Sequence, residues 1–195
     1  MNEKEILVVL TENTWLYAGL TAMLPEMRCL RMNFNTSNLP CEIQDATRII
    51  IAVDCRVFFS GEWTAFNHLR VKKPGSEVVW MVREETGPSF PAGKYGEYVL
   101  GQKQDIVSLG KTLRNRYLNC RDNVSPASLS SVERFLLPYF MSGMSMPKIS
   151  GLTGKAVKVL YRHRRSIMLK TGFRNAAFMQ FVYSQNQGLP WLILS

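Results

Sequence analysis

The chain has 195 residues, of which 46% are hydrophobic and 20% are charged, and its formal net charge is +9. This balance is typical of a globular protein with one large or two small domains and excludes a disordered chain. No segment approaches the roughly 18 consecutive apolar residues that a membrane-spanning helix needs, so the sequence predicts no membrane insertion.

The basic residues are concentrated in the C-terminal part of the chain. Residues 1–120 contain 14 Lys/Arg and 13 Asp/Glu, whereas residues 121–195 contain 10 Lys/Arg and 2 Asp/Glu. No Asp or Glu follows Glu133. The C-terminal part should therefore carry a positive potential that attracts phosphate or another polyanion.

The N-terminus and the cysteines predict a cytoplasmic protein without a metal or cofactor. The first residues, MNEKEILVVL, are acidic where a secretory signal would be basic. The four cysteines, Cys29, Cys41, Cys55 and Cys120, form no CxxC pair and have no histidine at metal-ligand spacing. That pattern is typical of free thiols in a reducing compartment.

The first 120 residues alternate short apolar runs with segments of helical spacing. The uniformly apolar runs predict strands buried on both faces at 5–10, 48–54, 77–82 and 97–100. A helix is predicted over 14–24, ending before Pro25. Its apolar face contains Trp15, Leu16, Gly19, Leu20, Met23 and Leu24. Strands that alternate with helices predict an α/β domain with a doubly wound parallel sheet.

The middle of the chain predicts the end of this domain and a linker. Residues 83–97 are rich in Gly and Pro, so a helix there should be short or absent. Helical spacing returns over 105–118, and the polar segment 119–130 has the composition of a linker. The predicted organisation is an α/β domain at 1–119, a linker at 120–128, a helical domain at 129–187 and an apolar tail at 188–195.

Four helices are predicted after residue 129. Ser130 and Glu133 have the spacing of a capping box, and Gly143 can end the helix that they begin. Ser145 should cap a second helix, with Pro147 in its first turn and Gly151 or Gly154 marking the next turn. A third helix is predicted over 156–169, and Asn175 should cap a fourth over 176–183.

The third helix has two different faces. Leu160, Ile167 and Met168 share an apolar face that should pack on the domain. Lys158, Tyr161, Arg162 and Arg165 share a basic face that should point outward. Two short helices joined by a tight turn, with a basic second helix, are typical of a helix-turn-helix whose second helix enters the DNA major groove.

The same residues carry a resemblance to a known family. Residues 129–176 resemble the DNA-binding domain of the LuxR/NarL family of bacterial transcription regulators. The matching positions are Leu129, Ser130, Glu133, Gly143, Ser145, Ile149, His163, Lys170, Gly172 and Asn175. The resemblance implies that Tyr161, Arg162 and Arg165 face the bases. It also implies that Lys158, Val159, Arg164 and Lys170 flank the phosphates, and we expect His163 to be an orienting or packing residue.

Four positions depart from the family pattern. Ala156 replaces the Ser or Thr that usually caps the recognition helix, at a cost of about 0.5–2 kcal/mol. Lys155 replaces an apolar residue, and Ala176 replaces an Arg that can pair with the glutamate of the first helix. Pro138 lies inside the first helix and should kink it.

In this family the α/β domain is often a phosphoreceiver, and here the resemblance implies a degraded one. Asp54 ends a strand where the phosphoacceptor should be. The other expected positions are altered: Thr11 and Glu12 replace an acidic pair, Val82 replaces a Ser or Thr, and Gly101 replaces a Lys, with Lys103 two residues away. Magnesium needs carboxylates and a transferred phosphoryl group needs cations, so we expect no phosphorylation. The domain resembles degenerate receivers of enterobacterial regulators of fimbriae and capsule.

The sequence therefore predicts a transcription regulator that binds double-stranded DNA as a homodimer, or as a heterodimer with another LuxR-type regulator. Two alternatives stay open: a phosphorylation-dependent response regulator that uses Asp54, and a protein-interaction module that acts through a partner regulator. An enzyme is not predicted. The only histidines are His68 and His163, and no glycine-rich phosphate loop is present.

Overall fold

The structure, a computed structural model, describes residues 5–82, 97–101, 110, 113, 129–171, 173 and 175–186, with only the backbone for residues 82, 97–99 and 101. These residues belong to two compact units, an α/β unit up to residue 113 and a helical unit from residue 129. Within the described ranges, every helix is too short or too polar to cross a lipid bilayer.

The α/β unit is built on a parallel sheet. Its strands are β1 (Glu5–Leu10), β2 (Arg28–Met32), β3 (Arg48–Asp54), β4 (Glu77–Val82) and β5 (Glu97–Gly101). They are ordered β2-β1-β3-β4-β5, and each neighbouring pair is parallel. This is the flavodoxin-like order, in which ligands bind beyond the carboxyl ends of β1 and β3. The four strands predicted from apolar runs are confirmed.

Strand β2 has no counterpart in the sequence-based prediction. It lies at one edge of the sheet and pairs only with β1 among the described strands. Arg28 and Arg31 are exposed in it, and Met32 is buried. An edge strand is partly exposed to solvent, so it lacks the continuous apolar run by which fully buried strands are recognised.

The helices of this unit differ in part from the prediction. They are α1 (Thr14–Met23), α2 (Cys41–Gln44), α3 (Val57–Ser60) and α4 (Thr64–Lys72). Asn13 caps α1 by accepting a hydrogen bond from the Trp15 backbone N–H at 3.1 Å. The predicted packing face of α1 is only partly correct, because Leu20 is buried whereas Trp15 is 86% exposed.

Helix α4, which the sequence reading missed, contributes Phe66 to an aromatic cluster that includes Trp80 of β4. Phe58, Trp63, Phe66 and Trp80 are all buried, and their ring centroids lie 5.2–6.2 Å apart in edge-on or tilted pairs. Helix α4 itself, TAFNHLRVK, mixes the buried residues Ala65, Phe66 and Leu69 with polar residues, so its apolar periodicity is weak. Burial of aromatic surface stabilises this side of the sheet.

The helical unit contains α5 (Ser131–Met141), α6 (Met146–Thr153), α7 (Val157–Thr171) and α8 (Ala176–Gln185). Both hydrogen bonds of the predicted capping box are present, and Asn175 caps α8 through the Phe178 N–H at 2.8 Å. Ser145 is the N-cap residue of α6 but makes no side-chain capping bond. Helix α5 continues through Pro138, which is exposed.

Some predicted helix ends differ from the structure by one or two residues, and other predictions lie outside the described residues. Helix α7 begins at Val157 and extends to Thr171, two residues beyond the predicted end, and α8 extends to Gln185. Gly110 and Leu113 are helical, but the rest of the predicted helix at 105–118 lies outside the described residues. The linker, the apolar tail, Cys120, Lys103, Gly172 and the segment 83–96 also lie outside them.

Candidate nucleic-acid interface

A three-residue turn joins α6 to α7. Gly154 ends α6 with φ +67°, a conformation that favours glycine, and Gly151 lies within α6. The Thr153 hydroxyl donates to the Ile149 carbonyl at 2.7 Å and accepts from the Lys155 N–H at 3.4 Å. The Thr153 hydroxyl therefore stabilises the turn before α7. Ala156, which precedes α7, has no side chain that could cap that helix.

The inner face of α7 anchors it to the domain. Leu160 and Ile167 are completely buried, and Met168 is half-buried. They belong to a core that also contains Leu136, Leu137, Phe140, Ile149, Met179 and Val182. The predicted packing face is confirmed for the first two residues and holds only in part for Met168.

The outer face of α7 is basic and exposed. Lys158, Tyr161, Arg162 and Arg165 are all exposed, at spacings that place them on one side of the helix. At a rise of 1.5 Å per residue, they cover about 10 Å along the axis. In residues 129–195 the only carboxylate is Glu133. Guanidinium and ammonium donors without a carboxylate partner are suited to an anionic polymer.

Arg164 is held differently from its two neighbours. Its guanidinium carbon lies 4.9 Å from the centre of the Tyr161 ring, and the side chain is half-buried. A cation over an aromatic face is attracted by the ring quadrupole and loses rotational freedom. Arg164 therefore lies against the Tyr161 ring, beside the exposed basic face. Val159 is half-buried.

Lys170 differs from the prediction that it flanks phosphates. Its Nζ donates to Glu133 Oε2 at 2.7 Å, and Ser166 Oγ donates to Glu133 Oε1 at 2.6 Å. The Glu133 side chain is only 5% exposed, and that of Lys170 is 33% exposed. A buried carboxylate needs such partners, so Lys170 joins α7 to the start of α5. Lys170 thus pairs with Glu133 in place of the arginine that the family pattern has where this chain has Ala176.

The pKa of Glu133 reflects these contacts. Burial by itself raises it, but hydrogen bonds from Lys170, Ser166 and Ser130 outweigh burial and lower the pKa to about 2. A carboxyl group whose pKa is lower in the folded state stabilises the fold above its unfolded pKa. That stabilisation is lost as the pH falls from about 4.5 toward 2.

We therefore expect acid to weaken the α5–α7 contact through Glu133. Hydrogen-exchange protection of the α7 amides should fall between about pH 4.5 and 2 in the natural protein. Glu133→Gln, which cannot titrate, should be less protected at neutral pH and should show a smaller decrease over that range. Equal pH profiles for the two proteins would contradict this role of Glu133.

An open cleft of about 340 Å³ lies beside α7 in the helical unit. It is lined by Glu133, Val159, Arg162, His163 and Ser166. His163 is half-buried, at the margin between the core and the basic face. It lines this cleft together with Glu133 and Ser166, and its expected role as an orienting or packing residue stays a prediction.

The α/β unit holds Asp54 in a closed arrangement at the carboxyl end of the sheet. Its side chain is 1% exposed, and its Oδ2 accepts a hydrogen bond from the buried Thr11 hydroxyl at 2.7 Å. Oδ1 accepts from the Arg56 N–H at 3.1 Å. Glu12 is exposed beside this pair, and Val82 and Gly101 pair across β4 and β5. Thr11, whose hydroxyl binds Asp54, supplies no carboxylate to a magnesium ion at this position.

Comparison with solved structures indicates the fold. No protein-family model matches the chain, and no curated protein matches its sequence. Solved structures of the response regulator RcsB do match. The chain is similar in fold to RcsB. For the RcsB–DNA complex the TM-score is 0.59 at 14% identity, over 94% of this chain and 99% of that chain.

Two further RcsB structures match to the same extent. RcsB from Salmonella enterica serovar Typhimurium, bound to promoter P1flhDC with phosphomimetic BeF3−, gives a TM-score of 0.62 at 13% identity. Two RcsB dimers bound to two parallel DNAs give 0.61 at 14% identity. Each match covers 94% of this chain and 99% of the other chain. The α/β unit therefore has a receiver-like fold.

Three long-range side-chain contacts escaped the sequence reading. The bond from Thr11 to Asp54 joins residues 43 positions apart, and no local pattern indicates it. The contacts of Ser166 and Lys170 with Glu133 join residues 33 and 37 positions apart. The spacing of four between Ser166 and Lys170 places them on one face of a helix, and this signal was available.

Proposed function

We propose that this chain is a cytoplasmic transcription regulator that binds double-stranded DNA as a dimer. Helix α7 acts as the recognition helix of a LuxR-type helix-turn-helix and enters the major groove. The observation that carries this proposal is the exposed, carboxylate-free face of Lys158, Tyr161, Arg162 and Arg165. The similarity in fold to RcsB, which has been solved in complexes with DNA, supports it.

The roles on this face follow from chemistry. Arg162 and Arg165 each present a planar fork that can donate to O6 and N7 of guanine, and the exposed half of Tyr161 can contact a base edge. Lys158 and Arg164 reach the flanking phosphates, which position the helix without reading sequence. The proposed function involves no catalysis. We infer that the regulator controls genes for surface structures such as fimbriae or capsule.

Selection of duplexes from a random library tests the proposal. The full chain should enrich a defined motif, and a scrambled duplex should bind at least about 1,000-fold more weakly. Affinity for both should fall linearly with the logarithm of salt concentration, because phosphate contacts release counterions. Equal affinity for the selected and scrambled duplexes, or no binding at low salt, would favour a protein-interaction module.

The proposed regulator works without phosphorylation. The burial of Asp54 and its bond from Thr11 support this, since an acceptor must expose an oxygen to the phosphoryl donor. The pocket also lacks the paired carboxylates that hold magnesium in such a site. Asp54 has a structural role here: it ties the end of β3 to the residue that follows β1.

Acetyl phosphate should therefore leave both the mass and the DNA affinity of the protein unchanged. Thr11→Val, which keeps the shape but removes the hydroxyl, should lower stability by about 1–3 kcal/mol because a buried carboxylate loses a donor. Thr11→Ser keeps the hydroxyl and is the matched control. Phosphoryl transfer to Asp54 accompanied by tighter DNA binding would instead establish a phosphorylation-dependent regulator.

A further inference from the structure

Leu169 is an apolar residue at the end of the basic face of α7. It is 73% exposed, more than any other large apolar residue described in the helical unit. Lys158, Arg162, Arg165 and Leu169 follow one another at spacings of four, three and four, so their side chains form one line along the helix. All four are exposed. A ligand that lies along this line beyond Arg165 therefore meets Leu169.

Packing of the helical unit does not explain an apolar residue at this position. Leu160 and Ile167 anchor α7 and are completely buried, and helical spacing places Leu169 on the opposite side of the helix from them. An exposed leucine adds little to folding stability, because its surface stays in water. Single exposed apolar residues are common on proteins, so the indication comes from the position of Leu169 in line with three cations.

We propose that Leu169 contacts the C5-methyl group of a thymine in the major groove of the DNA. That methyl group is the apolar feature that base pairs present in this groove, and apolar side chains recognise it. Leu169 follows Arg165 by four residues, or about 6 Å along the helix axis. Base pairs are spaced by about 3.4 Å, so this thymine lies about two base pairs beyond the base that Arg165 contacts.

This inference rests on the proposed function and adds one base to the sequence that α7 reads. A phosphate contact does not suit Leu169, because its side chain has no hydrogen-bond donor and phosphate oxygens are bound by donors. A protein partner is also less well matched, since the three cations on the same line attract a polyanion. Leu169 is thus a specificity-determining residue that continues the proposed interface.

Replacement of thymine by uracil tests the contact, because it removes the C5-methyl group and keeps the base pair. Each thymine of the selected duplex is replaced in turn, and binding of the full chain is measured by fluorescence anisotropy. At one position uracil should weaken binding by the natural protein about threefold to fivefold, the worth of one buried methyl group. Leu169→Ala should bind the thymine and uracil forms of that duplex alike.

Two further variants serve as matched controls. Leu169→Met keeps an apolar side chain of similar size and should retain most of the loss caused by uracil. Leu152→Ala removes another exposed leucine, on α6, and should retain all of it. Alanine is a good helix former, so circular dichroism should show Leu169→Ala to be as helical as the natural protein.

Three results would overturn the inference: a selected motif without thymine, no effect of uracil at any position, or a Leu169→Ala variant that is still sensitive to uracil. Weaker binding by Leu169→Ala without any effect of uracil would indicate a contact with the sugar instead. If the natural protein distinguishes selected from scrambled DNA but not thymine from uracil, the DNA-binding function stands and the thymine contact fails. If it does not distinguish the two duplexes, the proposed function itself fails.

Discussion

Replacing Arg162 or Arg165 with alanine is expected to lower affinity for the selected duplex by about 1–3 kcal/mol, the worth of a good bidentate contact to guanine. Both side chains are exposed on α7. The only acidic side chain in residues 129–195, Glu133, binds Ser166 and Lys170. Alanine is also a good helix former, so the loss should not come from unfolding. Fluorescence anisotropy with the selected and scrambled duplexes measures both affinities.

The control for this prediction is Arg134→Ala. Arg134 is an exposed arginine on α5 whose Nε donates to the Leu129 carbonyl at 3.0 Å. This change removes the same charge from a different helix and should affect both duplexes equally. If Arg162→Ala and Arg165→Ala weakened binding to the selected and the scrambled duplex equally, the assignment of these residues to base contacts would be wrong.

Lys170→Met is expected to be among the most destabilising changes in the helical unit. It leaves the buried carboxylate of Glu133 without its cation. Breaking a buried ion pair by removing one partner costs about 3–5 kcal/mol. Because Lys170 is partly exposed, we expect a loss of stability at the lower end of that range. Hydrogen exchange of the α7 amides in the full chain measures the loss.

Lys158→Met is the matched control, because Lys158 is exposed on the same helix. It should change stability by less than about 0.5 kcal/mol. It should also weaken binding to all duplexes and reduce the salt dependence by about one counterion. The double variant Glu133→Gln with Lys170→Met should recover part of the stability. Similar stability of the two single lysine variants would contradict a structural role for Lys170.

The difference between these two lysines illustrates the limit of sequence reasoning at the site. Both lie on α7, and the family resemblance implies phosphate contact for both. Helical periodicity predicts the exposed face that contains Lys158, because that face depends only on spacing. It cannot predict the partner of Lys170, because Glu133 lies 37 residues away and is brought close only when α5 packs on α7.

In the α/β unit, too, local patterns predicted some features and long-range packing decided others. Apolar runs predicted β1, β3, β4 and β5, since a strand covered on both faces must be apolar along its length. Strand β2 is an edge strand with two exposed arginines, and its assignment depends on pairing with β1. Helix α1 was predicted correctly, but Trp15 was placed on its buried face, although the ring is 86% exposed.

The sequence by itself determined the parallel α/β pattern, the capped helices after Ser130 and the basic face of α7. These depend on local spacing, charge and capping, which residues close in the chain decide. The tertiary structure alone decided that Thr11 binds Asp54, that Lys170 pairs with Glu133 and that Trp15 points outward. Each of these depends on how distant segments pack, because burial and hydrogen-bond partners are properties of the folded chain.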